Sequence, residues 1–237
     1  MKNFFRVQSE DSIESGFVSV RNRTDQRGVV GIHPFDEGEV LFEGKTVDIH
    51  GPRDAAQLGI EVVYQDLALA DNLDVVANMF LGRERIRSRI VLDESSMERA
   101  SQEALKSLSV TTLTSVRQRV AGLSGGQRQA VAVAKSVMWD SKLVILDEPT
   151  AALGVAQTRQ VLDLVRRLAE KDLGVVIISH NLHDVFEAAD RITVLRLGQR
   201  VATLETSETN QQEVVHAITA GTLDHVPGMA RAGAIEA

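Results

Sequence analysis

The chain is 237 residues long, with 43% hydrophobic and 25% charged residues, the proportions of a soluble globular protein with room for one sizeable core. Its 26 basic and 33 acidic residues leave a net charge of −7, which argues against a general nucleic-acid binder, because such proteins displace phosphate counterions with cations. Cysteine is absent, so disulfides and thiolate metal sites are excluded. No apolar run is long enough to span a bilayer, and the first residues turn acidic too soon for a signal peptide. These features point to the cytoplasm, with any membrane role exerted through a partner.

Residues 1–30 show no clear period and read as an atypical N-terminal segment. From Glu39 the pattern sharpens: GEVLFEGKTVDI alternates about a Gly44-Lys45 turn and predicts a β-hairpin. Residues 52–58 suit a short helix, and IEVVY at 60–64 is a compact buried strand. Residues 74–108 read as largely helical, with LDESSMERASQEALKSL the clearest amphipathic piece. Ser124 opens a helix, GGQRQAVAVAKSVM, and LVIL at 143–146 is a strand. The next helix carries Val161, Leu164, Val165 and Leu168, an i, i+3, i+4, i+7 stripe. A strand at 175–178, a short helix and ITVLRL follow. Apolar strands alternating with helices predict an α/β fold with a mainly parallel sheet covered on both faces. A helical subdomain of about 66–138 is inserted beside it, and residues 222–237 read as a loose tail.

Two motifs carry chemistry. LVILDEPT at 143–150 is a buried strand ending in two adjacent acids. Ligands gather at the carboxyl ends of parallel strands. Asp147 there can hold a hydrated Mg²⁺ against nucleotide phosphates, and Glu148 can orient and deprotonate a water. A bare acid pair could equally be a solvated turn, but the apolar run before it and the Pro-Thr after it make that reading a poor fit. LSGGQRQ at 123–129 supplies Ser124 as an N-cap, and Gly125 and Gly126 let backbone N–H groups approach an anion at a helix N-terminus.

In order and spacing, LSGGQ, LVILDEPT and VVIISH resemble the ATP-binding subunit of ABC transporters, over about residues 31–221. The resemblance implies a P-loop NTPase (RecA-like) core and ATP and Mg²⁺ as cofactors. It gives Glu148 and His180 catalytic roles, His180 resembling the switch histidine at the terminal phosphate. Gln65, Asp147, Ser124, Gly125, Gly126 and Gln127 would bind the nucleotide, with Asp147 and Gln65 at the metal. The implied partners are membrane permease subunits, a second ATPase subunit and, indirectly, a sugar-binding protein; the place is the inner face of the cell membrane. FEGKTVDIHGPRDAAQLGIEVVYQDLAL and the loop AALGV, with Gly154 where the family often has Asp, resemble the monosaccharide (ribose or fructose) importer branch. Soluble ABC proteins of DNA repair or translation fit less well, since no second ATPase half, cysteine zinc site or long coiled-coil insert is present.

One part is missing. The family carries G-x-x-x-x-G-K-[ST] between its first core strand and first core helix, and this chain has no such run. The near-match, Gly38 then Gly44-Lys45-Thr46, has five intervening residues and lies in a strand–turn–strand context. The loop belongs before Gly31, where residues 1–30 do not contain it. Codons for Thr24, Asp25 and Gln26, read one base out of frame, can encode residues common just after that loop. A frameshift or displaced start in the coding DNA is therefore one expected cause, and a genuine variant subunit the other. Three lost charge-assisted bonds would cost about 5–9 kcal/mol, or about 10³–10⁶-fold in nucleotide affinity. The sequence thus supports two functional readings. One is an ATP-hydrolysing subunit of a sugar importer; the other is an impaired subunit that only donates its LSGGQ loop to an intact partner.

Overall fold

Short β-branched runs, spaced by caps and glycines, set the elements of this chain; the computed structural model describes residues 3–7, 19–20, 40–88, 90–197 and 199–221. The atypical segment holds two strands, β1 (Asn3–Val7) and β2 (Ser19–Val20). β3 (Val40–Phe42) and β4 (Lys45–Val47) form the expected hairpin, with Phe42 paired to Lys45. Its turn is at Glu43-Gly44, one residue earlier than expected, with φ 50° and 74°. Two successive left-handed residues match the strand twist of a tight hairpin. Lys45 and Thr46 are therefore strand residues, and Gly44 opens no helix. α1 (Pro52–Gln57) begins on a proline, whose missing N–H costs nothing there.

β5 (Ile60–Val63) leads by a loop to α2 (Val75–Phe80), capped by the Asp74 side chain, which accepts from the Ala77 N–H. The region expected to be helical over 74–108 is interrupted by a hairpin of β6 (Ile86–Ser88) and β7 (Val91–Leu92). Gly82 at φ 79° turns the chain out of α2, and the β-branched Ile86, Ile90 and Val91 favour extended backbone. α3 (Glu94–Ser107), α4 (Gly125–Val137), β8 (Leu143–Asp147) and α5 (Val155–Ala169) follow. Next come β9 (Gly174–Ile178), α6 (Leu182–Ala188) and β10 (Arg191–Arg196). β11 (Gln199–Glu205) and α7 (Gln211–Ala220) follow and, like β1, β2, β6 and β7, lie beyond the expected elements. Gly38 and the proposed tail fall outside the described residues.

The main sheet has the order β11-β10-β1-β9-β8-β5. β5, β8 and β9 are parallel, with Val63 beside Leu146 and Leu146 beside Ile177. β1 lies between β9 and β10 and is antiparallel to both, and β10 pairs antiparallel with β11. Alternation along β8 splits the core between the two faces. Val144 and Leu146 join Val131, Val133, Leu162, Val165 and Leu168 under α4 and α5, whereas Leu143 and Ile145 join Val40, Phe42, Ala55 and Ile60 under the β3–β4 hairpin and α1. The α5 stripe of Val161, Leu164, Val165 and Leu168 is fully buried, as its spacing predicts. Leu146→Ala should lower unfolding free energy by about 2–5 kcal/mol in urea titrations, while Leu197→Ala at the exposed β10–β11 turn should stay within about 0.5 kcal/mol.

Candidate functional site

The parallel ladder delivers three strand ends to one edge. β8 is buried through Leu146, and Asp147 is the first residue to reach partial exposure. Asp147 pairs with Ile178 in the ladder, and the Glu148 N–H continues it by donating to the Ile178 carbonyl at 2.7 Å. Glu148 then takes φ 50°, a left-handed conformation that costs a non-glycine residue about 1–2 kcal/mol. Such backbone is found where the surrounding structure dictates it, often at functional sites. Pro149 and Thr150 behind it are buried, and Ala151 donates back to the Glu148 carbonyl at 3.1 Å. The turn swings the Glu148 carboxyl towards the end of β9, where its Oε1 lies 2.8 Å from His180 Nδ1. The acid is largely enclosed, whereas the His180 side chain is 75% exposed. His180 follows the buried Ser179, whose hydroxyl accepts from the Asn181 N–H at 3.0 Å. Gln65 stands two residues beyond Val63, as Glu148 stands two beyond the Leu146 that pairs with Val63, and it is exposed. Asp147, Glu148, His180 and Gln65 thus share one edge.

Ser124, Gly125, Gly126 and Gln127 form the start of α4. Ser124 Oγ accepts from the Gln127 N–H at 3.3 Å, and Gln127 Oε1 accepts from the Ser124 N–H at 2.9 Å, a complete capping box. Gln127 Nε2 also donates to the Thr112 carbonyl at 2.6 Å, tying the helix start to the preceding loop. The glycines have a packing reason as well as an electrostatic one. A Cβ on Gly125 would lie 2.9 Å from Leu153 Cδ2, and one on Gly126 would lie 3.2 Å from Gln157 Cβ and Cγ. The first turn of α4 is therefore pressed onto the loop and helix that follow Glu148. No hydrogen bond among the described residues joins Ser124, Gly125, Gly126 or Gln127 to Glu148 or His180.

Several supporting residues carried no signal in the sequence reading. Asn78 is fully buried in α2; its side chain accepts from the Ala70 N–H at 2.7 Å and donates to the Ala70 and Asp74 carbonyls, fixing the loop that follows Gln65. One asparagine amid VVANMF was the available clue. Arg128 donates to the Leu123 and Ala121 carbonyls and pairs with Asp71 at 3.0 Å, bracing the same loop against α4. Arg117 pairs with Asp74, Glu94 and Glu98, and the hydrogen bond to Glu98 raises its pKa further.

The edge suits part of a nucleotide site. Among the described residues no three His, Cys, Asp or Glu side chains are grouped to hold a metal by themselves. A Mg²⁺ that brings most of its oxygens from water and phosphate would ask the protein for only one or two oxygen ligands, which Asp147 and Gln65 could supply. The phosphate cradle does not match. Gly44, Lys45 and Thr46 belong to a hairpin, and β1 runs the wrong way to supply a loop. Phe4 pairs with Ile178 and Val7 with Val175, so the chain leaves β1 at the edge opposite Asp147 and His180. Among the described residues none forms a phosphate-binding loop at this edge, and no chemical step through a nucleotide follows from them alone. Ser124→Ala should cost about 1 kcal/mol of stability and Ser124→Asp should retain most of it, as read by urea denaturation.

The family model described as "ABC transporter" matches residues 27–151. The chain is 44% identical over 198 residues to the xylose/arabinose import ATP-binding protein XylG of Sulfolobus acidocaldarius, covering 84% of this chain and 78% of that one. It is 44% identical over 190 residues to the fructose import ATP-binding protein FrcA of Rhizobium meliloti, covering 78% and 73%. Among solved structures it is similar in fold to the ATP-binding cassette MJ1267 of an ABC transporter, with a TM-score of 0.68, 21% identity and coverage of 92% and 95%. It is also similar to cbiO1 from Clostridium perfringens, with a TM-score of 0.63, 24% identity and coverage of 76% and 71%. With its strand-end acids, capped glycine turn and α/β core, the chain belongs to the ABC transporter family, as an ATP-binding cassette.

Proposed function

We propose that the chain is the ATP-binding subunit of a sugar import system. Support comes from the named sugar importers at 44% identity over most of both chains, and from the edge that gathers Gln65, Asp147, Glu148 and His180. In this reading Glu148 is the general base, held towards its water by His180, and Asp147 with Gln65 accepts the Mg²⁺ that accompanies ATP. Ser124, Gly125, Gly126 and Gln127 present a capped helix N-terminus to a terminal phosphate. Permease subunits in the membrane and a second cassette complete the machine, with a sugar-binding protein feeding it and the cassettes on the inner membrane face. No helix among the described residues is long and apolar enough to cross a membrane.

A second reading is favoured by one observation: the chain lacks G-x-x-x-x-G-K-[ST], and β1 points away from the site edge. In that reading its own site is silent, and Ser124 through Gln127 complete the site of a loop-bearing partner. Lys and the loop N–H groups normally offset phosphate charge; Asp147 and Glu148 add to it unless a metal intervenes.

Hydrolysis assays separate the two. The 237-residue chain alone, with Mg²⁺, should turn over no faster than its Glu148→Gln variant. Mixed with a loop-bearing sugar-importer cassette, it should support turnover that falls at least about tenfold when Gly126 here is replaced by a bulky residue. Glu148-dependent turnover by the chain alone would defeat the second reading and leave the first standing. A mixture indifferent to Gly126 would defeat the signature-donor role.

A further inference from the structure

β6 and β7 form a two-stranded sheet of their own, paired with no other described strand. An isolated hairpin needs a covered face to persist, and this one leaves its apolar side chains bare. Ile86 is 60% exposed, Ile90 92%, Val91 54% and Leu92 49%. With Leu81, they account for five of the nine exposed large hydrophobic residues among the described residues, gathered within twelve positions. Residues 86–92 hold four large apolar residues, one serine, Arg87 and Arg89, and no acid, in a chain whose net charge is −7.

The base of the hairpin is held by several contacts. The Asp93 N–H donates to the Arg85 carbonyl at 2.8 Å, and the Arg85 N–H to Met97 Sδ at 3.5 Å. Arg83 bonds to Glu61 at 3.0 Å and lies over the Trp139 ring, and the Arg85 guanidinium lies over Phe80. Arg87, by contrast, makes no ion pair or hydrogen bond with the described residues. A base held by these bonds thus presents bare isoleucine, valine and leucine beside Arg87, a cation with no partner among the described residues. A nucleic acid would answer the charge alone and an apolar protein groove the side chains alone. An anionic bilayer surface answers both, because it offers phosphate to Arg87 and acyl chain to the aliphatic groups.

We propose that the β6–β7 hairpin is a membrane-surface contact, inserting Ile86, Ile90, Val91 and Leu92 among the headgroups of anionic phospholipids while Arg87 engages their phosphates. The contact is separate from the nucleotide edge and stands whether or not the chain hydrolyses ATP. The chain has no cysteine, so Ile90→Cys carrying a polarity-sensitive dye reports on the tip alone. With vesicles of phosphatidylcholine and phosphatidylglycerol at low salt, the dye should shift to the blue and the unlabelled chain should co-sediment. With phosphatidylcholine alone, both signals should be weak, and added salt should weaken binding to the anionic vesicles. Arg87→Glu with Arg89→Glu, and Ile90→Ser with Leu92→Ser, should each lower partitioning about tenfold or more without changing the far-ultraviolet circular dichroism. Equal binding to neutral and anionic vesicles overturns the proposal. So does full binding by either double variant, or concentration-dependent self-association through the hairpin with no lipid binding.

Discussion

Everything chemically distinctive in this molecule depends on the shared register of β5, β8 and β9. Parallel pairing with Val63, Leu146 and Ile177 abreast makes three strands run out together. The Glu148 N–H adds one more rung to Ile178, and the left-handed step at Glu148 then aims its carboxyl at His180. Neither residue could find the other without that rung. Buried apolar residues on both faces of β8 support the acid pair, whereas the histidine is open to whatever approaches the edge.

The same ladder shows what the site lacks. A parallel strand between β9 and β10 would end at the acid edge and could deliver a phosphate-binding loop there. The strand in that place, β1, is antiparallel to both neighbours. Filling the gap satisfies the sheet's hydrogen bonds in either direction. Direction decides whether the strand can also serve the site, and here it cannot. Fold completion and phosphate binding, which one strand could provide together, are thereby separated.

Much of this was legible in the residues. The α5 stripe, the Ser124 N-cap and the run into Asp147 each follow from a local rule, and each is in place. The hairpin reading of Gly44 was sound because alternation on both sides outweighed a loose motif match. What escaped were features set by distant contacts. The need for glycine at Gly126 comes from Gln157 on another helix. β6 and β7 were hidden inside a window whose polar average resembled a helix, though Ile86, Ile90 and Val91 could have warned of extended backbone. α7 had a readable start, Asn210 with Glu213 three residues on, where the side chain of the first caps the N–H of the second at 3.1 Å. β1 has no alternation to read, and its place between two distant strands depends wholly on tertiary pairing.

Among the described residues, Asp147 and Glu148 stand at a strand-end edge with no phosphate-binding loop beside them. Equilibrium titration of the purified chain with ATP and Mg²⁺ tests it most directly, beside a loop-bearing sugar-importer cassette in the same buffer. Affinity should be weaker than the reference by about 10³-fold or more, matching the loss of about three charge-assisted bonds. Affinity within about tenfold of the reference would contradict it and would mean that residues other than a G-x-x-x-x-G-K-[ST] loop hold the phosphates.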